Sequence, residues 1–173
     1  MEAENHSKNL NSTEAAGKIK ELGEKIKTCF FSTRTMNPNL STRPMSTLKV
    51  EDDGTLWFMS HKDSHKNQQI ANQKNVDLLF ADPAGSHYMA LIGEARISTS
   101  PEKIKELWNP MLKIWFDGPE DPNVTLIRVT PTDGFYWDTK SGKMIQMVKM
   151  LAGMVTGKEL DDSIEGKLGV KRY

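Results

Sequence analysis

The chain has 173 residues, and its 23 basic and 23 acidic side chains cancel to no formal net charge at neutral pH. That length suits one domain with a real core, and the cancelled charge excludes a global field drawing in nucleic acid or an anionic membrane. One cysteine, Cys29, excludes an internal disulfide framework and any multi-cysteine metal site; within Thr28-Cys29-Phe30-Phe31 it reads as a buried structural thiol.

Residues 1–12 are polar and aperiodic, which predicts a mobile tail without a secretory signal region. From Thr13 the apolar series Ile19, Leu22, Ile26 recurs at helical spacing and predicts a helix over 14–27. Strand-like runs rich in Val, Ile, Phe, Tyr, Trp and Thr then follow at 28–34, 44–50, 55–60, 76–81, 87–99 and 124–137. Turn signals separate them, notably Asp53-Gly54 and Asp82-Pro83-Ala84-Gly85. Two short helices interrupt the strands. One runs from Asp63-Ser64 to Gln73; the other has Ser100 as N-cap, Pro101 in the first helical position and Glu102 in the first turn, and stops before Pro110.

A further helix is predicted over 142–156, with Ile145, Val148, Leu151 and Val155 on one stripe. It reads as core or subunit packing, because too few lysines flank it for a membrane-surface or calmodulin-target helix. Residues 157–173 read as a polar tail, leaving 13–156 as the domain. Six mostly hairpin-connected antiparallel strands with few helices predict a mainly β fold, a small closed or split β-barrel with peripheral helices. No apolar run reaches membrane-spanning length, and the expectation is a soluble protein of the cytoplasm with no nucleic-acid or membrane partner.

The candidate chemistry lies around the first hairpin. Arg43 opens one strand, and Ser64-His65-Lys66 opens the helix that follows the next. A helix N-terminus offers unpaired N–H groups and partial positive charge, a ready phosphate site. Ser64 can add a hydroxyl donor, Lys66 a mobile charge and Arg43 a bidentate fork. The competing reading is that Arg43 and Lys66 pair with surface carboxylates. Only one phosphate fits such a site, since no glycine-rich turn for a pyrophosphate is present. His61 and His65 have metal-like spacing but straddle the helix start without a third ligand, so no metal site is assigned. No nucleophile-elbow pattern occurs, and no catalytic residue is assigned.

The order Cys-Phe-Phe-Ser-Thr, Arg-Pro-Met, Leu-Trp-Phe-Met-Ser, Asp-Ser-His-Lys and His-Tyr-Met-Ala-Leu-Ile-Gly-Glu-Ala-Arg-Ile resembles the general stress protein branch of the pyridoxamine 5′-phosphate oxidase-like family. The later runs Thr125–Pro131 and Phe135-Tyr136-Trp137-Asp138 fit it too. The resemblance implies a six-stranded antiparallel split β-barrel that binds FMN at two equivalent sites across a homodimer interface. Carried over by position, FMN contacts fall on Arg43, Pro44, Met45, Ser46 and Thr47. Met59 and Ser60 would lie by the ring, and Ser64, His65 and Lys66 by the phosphate. Tyr88, Trp115 and Trp137 would stand near or over the ring. The vitamin oxidases of the family carry an Arg-x-His near the C-terminus, whereas this chain has no histidine after His87. The resemblance therefore implies an FMN-binding stress protein, either a flavin-dependent oxidoreductase or a non-catalytic flavin-binding or flavin-sequestering protein. A flavin-free barrel acting as an interaction module is the remaining alternative.

Overall fold

The structure is a computed structural model that describes residues 10–11, 13–35, 41–139 and 163–169. The helix expected over 142–156 lies outside the described residues. In chain order the elements are β1 (Leu10–Asn11), α1 (Thr13–Ile26), β2 (Thr28–Thr33), β3 (Thr42–Ser46), β4 (Lys49–Val50), β5 (Leu56–His61) and α2 (His65–Asn72). They continue with β6 (Asn75–Asp82), β7 (His87–Ser98), α3 (Pro101–Leu107), a 3₁₀ helix at Pro110–Ile114, β8 (Val124–Thr139) and β9 (Ser163–Gly169).

All six expected strands are present, and the run over 44–50 divides into β3 and β4. The physical reason is a change of partner. Thr47 N–H donates to the Lys27 carbonyl, while the next amide, Leu48 N–H, donates to Trp57 on β5. The sheet runs β1-β9-β8-β7-β6-β2-β3, and β5 joins β8 on one side and β4 on the other. Because β3 leads directly into β4, the sheet curls back through β4 and β5 onto β8. This mainly β, curled antiparallel architecture is that of a split barrel. β8 is its hub, pairing with β5 through residues 124–129, with β7 through residues 126–137 and with β9 through residues 135–139.

Two expectations are corrected at the ends. Leu10 and Asn11, read as tail, pair in parallel with Leu168 and Gly169 of β9, which was itself read as tail. Leu10 and Leu168 are both buried in the main core, and Ile164 packs against it. The inward positions of β9 are Ile164, Gly166 and Leu168, and the glycine hides the alternation.

The main cluster joins α1 (Ile19, Leu22) to Phe31, Phe58, Leu78, Met89, Leu91, Ile127 and Tyr136, with Phe31 and Phe58 edge-to-face at 5.3 Å. A second cluster seats α3 against Trp57, Val124 and Leu126. Ser100 caps α3 as expected, its Oγ accepting from Lys103 N–H at 3.3 Å. The Asp53-Gly54 turn also forms: Gly54 adopts φ +85°, a conformation that disfavours any side chain, and Asp53 Oδ1 accepts from Thr55 N–H.

Candidate functional site

Cross-strand partners share a face of the sheet, so register alone sorts the candidate residues. Arg43 lies opposite Phe31, which lies opposite Leu78, which lies opposite Leu91, and those three are buried. Arg43 and Met45 therefore face the barrel interior, while Pro44 and Ser46 face out. At the far side of the sheet, Tyr88 pairs with Trp137. Their chain neighbours Met89 and Tyr136 are buried, so this aromatic pair stands on the outer face, with 38% and 41% exposure. Arg43 and the Tyr88–Trp137 pair thus occupy opposite faces within one subunit, and the structure does not bring them together.

What the fold does bring together is Arg43 and the start of α2. Ser64 caps that helix, its Oγ accepting from Asn67 N–H at 3.4 Å, and its hydroxyl proton remains available as a donor. No helical carbonyl can reach the N–H groups of His65 and Lys66. Lys66 is half-buried and, among the described residues, has no carboxylate partner. Its pKa is lowered, first by burial and then by the positive charge of Arg43. Burial also lowers that of Arg43. Two cations held close together and partly out of water form a site that an anion would relieve.

The guanidinium of Arg43 is fixed from two sides. Nη1 donates to Thr33 Oγ1 at 2.9 Å, and Nη2 donates to Gln69 Oε1 at 3.0 Å. Thr33 Oγ1 in turn donates to Gln69 Oε1 at 2.6 Å. Thr33 and Gln69 escaped the sequence reading because they are 36 positions apart, and only the docking of α2 on the end of β2 joins them. Beyond Gln69 a cleft of about 470 Å³ is lined by Arg34, Thr35, Gln69, Asn72 and Gln73.

The other candidates divide. Thr47 Oγ1 is buried and has no hydrogen-bond partner among the described residues, which leaves an orphan hydroxyl at the break between β3 and β4. Ser60 is buried and already engaged: its Oγ donates to Asn67 Oδ1 at 2.8 Å and lies 2.8 Å from Thr125 Oγ1, tying β5 to α2 and β8. Met59 packs against the second cluster. His65 is exposed. Trp115 is 67% exposed, and the adjacent Phe116 stacks on the His61 ring at 6.2 Å. The His61 carbonyl accepts from Ser64 N–H, so Trp115 stands on a loop beside the turn entering α2.

The fold is that of a split β-barrel, with a cation-lined edge where Arg43 meets the start of α2. The family described as pyridoxamine 5′-phosphate oxidase like matches residues 14–161, and the chain belongs to it. General stress protein 26 of Bacillus subtilis is 33% identical over 85 residues, a match spanning 47% of this chain and 61% of that protein. A crystal structure from Jannaschia sp. CCS1 shares the fold with a TM-score of 0.76 at 22% identity, covering 87% of this chain and 95% of that one. A general stress protein from Xanthomonas citri, described as FMN/FAD binding, has a TM-score of 0.62 at 24% identity, covering 73% and 89%. The match to general stress protein 26 is of the kind that the motif order implied.

Proposed function

We propose that this chain is an FMN-binding general stress protein whose phosphate site is the edge formed by Arg43, Ser64 and Lys66. The observation that carries the reading is Lys66, a half-buried ammonium beside Arg43 with no carboxylate partner among the described residues. The residues fit a phosphate monoester. Arg43 supplies directed donors, Lys66 a charge, Ser64 a hydroxyl, and His65 and Lys66 backbone N–H groups at the helix start. The orphan hydroxyl of Thr47 supplies a further polar contact for a ribityl or ring atom. FMN is preferred over FAD because no glycine-rich turn cradles a second phosphate. A bound flavin would supply hydride or electron transfer, and the protein would orient it and exclude water.

The outer-face position of Tyr88 and Trp137 supports a homodimer, in which one subunit's aromatic pair meets the other subunit's cation edge. Phe30 and Leu79 lie opposite each other on the same outer face and are also exposed, a surface suited to a second copy. No helix among the described residues is long and apolar enough to cross a membrane. A cytoplasmic setting is part of the proposal, and it fits the lone thiol of Cys29, which burial pushes up to about 12.

A fluorescence titration of the purified protein with FMN and riboflavin tests the reading, with light scattering on the loaded protein. Tight FMN binding, riboflavin weaker by at least about tenfold, and a dimer are expected. Equal affinities would reduce these cations to ordinary surface charges. Oxidation of reduced nicotinamide by the loaded protein separates an oxidoreductase from a flavin-sequestering protein.

A further inference from the structure

We propose that Gln69, together with Thr33, is the positioning residue of the phosphate site: it holds the Arg43 guanidinium in place and thereby sets the preference for phosphorylated over unphosphorylated flavin. This inference rests on the phosphate reading above and assigns its orientation to Gln69, which lies outside every motif, and to Thr33, the last residue of the Cys-Phe-Phe-Ser-Thr run.

The geometry is a closed triangle. Arg43 Nη1 donates to Thr33 Oγ1, Thr33 Oγ1 donates to Gln69 Oε1, and Arg43 Nη2 donates to that same oxygen. The Arg43 nitrogen that meets the Gln69 amide at this end can only donate, so the atom there must be the carbonyl oxygen. Two neutral acceptors on two different nitrogens define the plane of the guanidinium without neutralising it. A carboxylate in the same place would pin the group equally well and cancel its charge.

The two acceptors come from different elements, Thr33 from the end of β2 and Gln69 from α2, which also carries Lys66. Gln69 follows Lys66 by three positions and so lies one turn along the same side of the helix. Thr33 is buried, and Gln69 is half-buried. The helix that presents Lys66 therefore also fixes Arg43, and the spacing of the two cations is set by one rigid element. Preorganised donors retain more of their strength toward an anion than mobile ones do.

The test is the titration with FMN and riboflavin on the wild type, Gln69→Ala, Arg43→Ala and the double variant. Gln69→Ala should weaken FMN about five- to tenfold and change riboflavin by less than about twofold. In the Arg43→Ala background the same substitution should have no further effect on FMN, because there is no guanidinium left to position. Gln69→Glu keeps the shape of the side chain and guards against simple damage to α2. It should weaken FMN more than Gln69→Ala does, again without touching riboflavin. Equal loss of both ligands, an undiminished effect in the Arg43→Ala background, or full FMN affinity in Gln69→Glu would each overturn the assignment. A wild type that prefers FMN while Gln69→Ala is indifferent sinks this inference alone. A wild type that binds both ligands equally sinks the phosphate reading, and this inference falls with it.

Discussion

Two groups of cations on this small barrel have opposite surroundings. Lys49 and Lys103, between β4 and α3, are enclosed by carboxylates: Lys49 reaches Glu106 at 2.6 Å, and Lys103 reaches Glu51 at 2.8 Å and Glu106 at 3.0 Å. The Lys103 ammonium also lies 5.0 Å from the centroid of the Trp57 ring. A hydrogen bond to Glu51 is the largest influence on Lys103, and its pKa is raised. At the other edge, burial and a neighbouring cation lower that of Lys66. The first arrangement stabilises the protein alone. The second costs the free protein something and offers that deficit to a ligand. Pairing with carboxylates, the competing reading for Lys66, is thus what Lys49 and Lys103 show and what Lys66, among the described residues, does not.

The sharpest way to break this contrast is ligand binding. Arg43→Ala and Lys66→Ala should each weaken FMN roughly ten- to a hundredfold, the cost of losing one charged hydrogen bond. Lys103→Ala should change it by less than about twofold. Fluorescence titration decides, and an equal loss in all three would erase the distinction between the two edges.

Lys18 extends the comparison into a more buried setting. Its ammonium lies 2.9 Å from Asp138 Oδ2, and the other Asp138 oxygen lies 2.6 Å from His87 Nδ1. Burial works against ionisation of Asp138, but the hydrogen bonds from Lys18 and from Thr139 N–H, with the Lys18 charge, outweigh it and hold the pKa low. Lys18→Ala leaves that carboxylate short of a donor and should cost about 1–3 kcal/mol, measured by urea denaturation. A carboxylate with a depressed folded pKa stabilises above its unfolded value and loses that effect as pH falls through the folded one. The stability gap between wild type and Asp138→Asn should therefore be full at pH 7 and close below about pH 4. A gap that persists unchanged into acid would mean that the charge of Asp138 contributes nothing.

Smaller effects separate the two lysines in the ligand-free protein. Lys103→Ala should destabilise by about 0.5–1 kcal/mol, since its two carboxylate partners are partly exposed and the pairs are screened by solvent, and the loss should shrink in high salt. Lys66→Met should leave the melting temperature unchanged or raise it by about 1–2 °C, because a strained charge has been removed. The sign with pH follows. A lysine with a lowered folded pKa binds fewer protons folded than unfolded as pH approaches about 10, so wild-type stability should rise relative to Lys66→Met there. A marked destabilisation by Lys66→Met at neutral pH would show that Lys66 has a structural role.

The β-strands were legible because they are dense in aromatic and branched residues between turn signals, although both faces carry large side chains: inward Phe31, Leu78, Met89 and Tyr136 alternate with exposed Phe30, Leu79, Tyr88 and Trp137. β9 was not, because Gly166 occupies an inward position opposite Tyr136, and β1 has a single inward leucine. Arg43, Ser64 and Lys66 were legible as a group because the local pattern puts Arg43 at a strand start and Lys66 beside the Ser64 cap, in a first helical turn whose dipole favours an anion and not a cation. Their environment was not, since Thr33, Arg43 and Gln69 meet only in the folded chain. Nor could motif order reveal that Tyr88 and Trp137 stand on the face opposite Arg43, which is a matter of register and curl.

The position of β8 as hub bears on how this chain is made. β5 ends at His61, yet its partner on β8 begins at Val124. At a translation rate of about 5–20 residues per second, the Trp57-Phe58-Met59 edge waits roughly 3–13 s for the strand that will cover it. Until then an apolar strand edge is open to pairing with another nascent chain. Vectorial synthesis cannot close this barrel progressively, so slower decoding between residues 61 and 124 would favour aggregation over native yield.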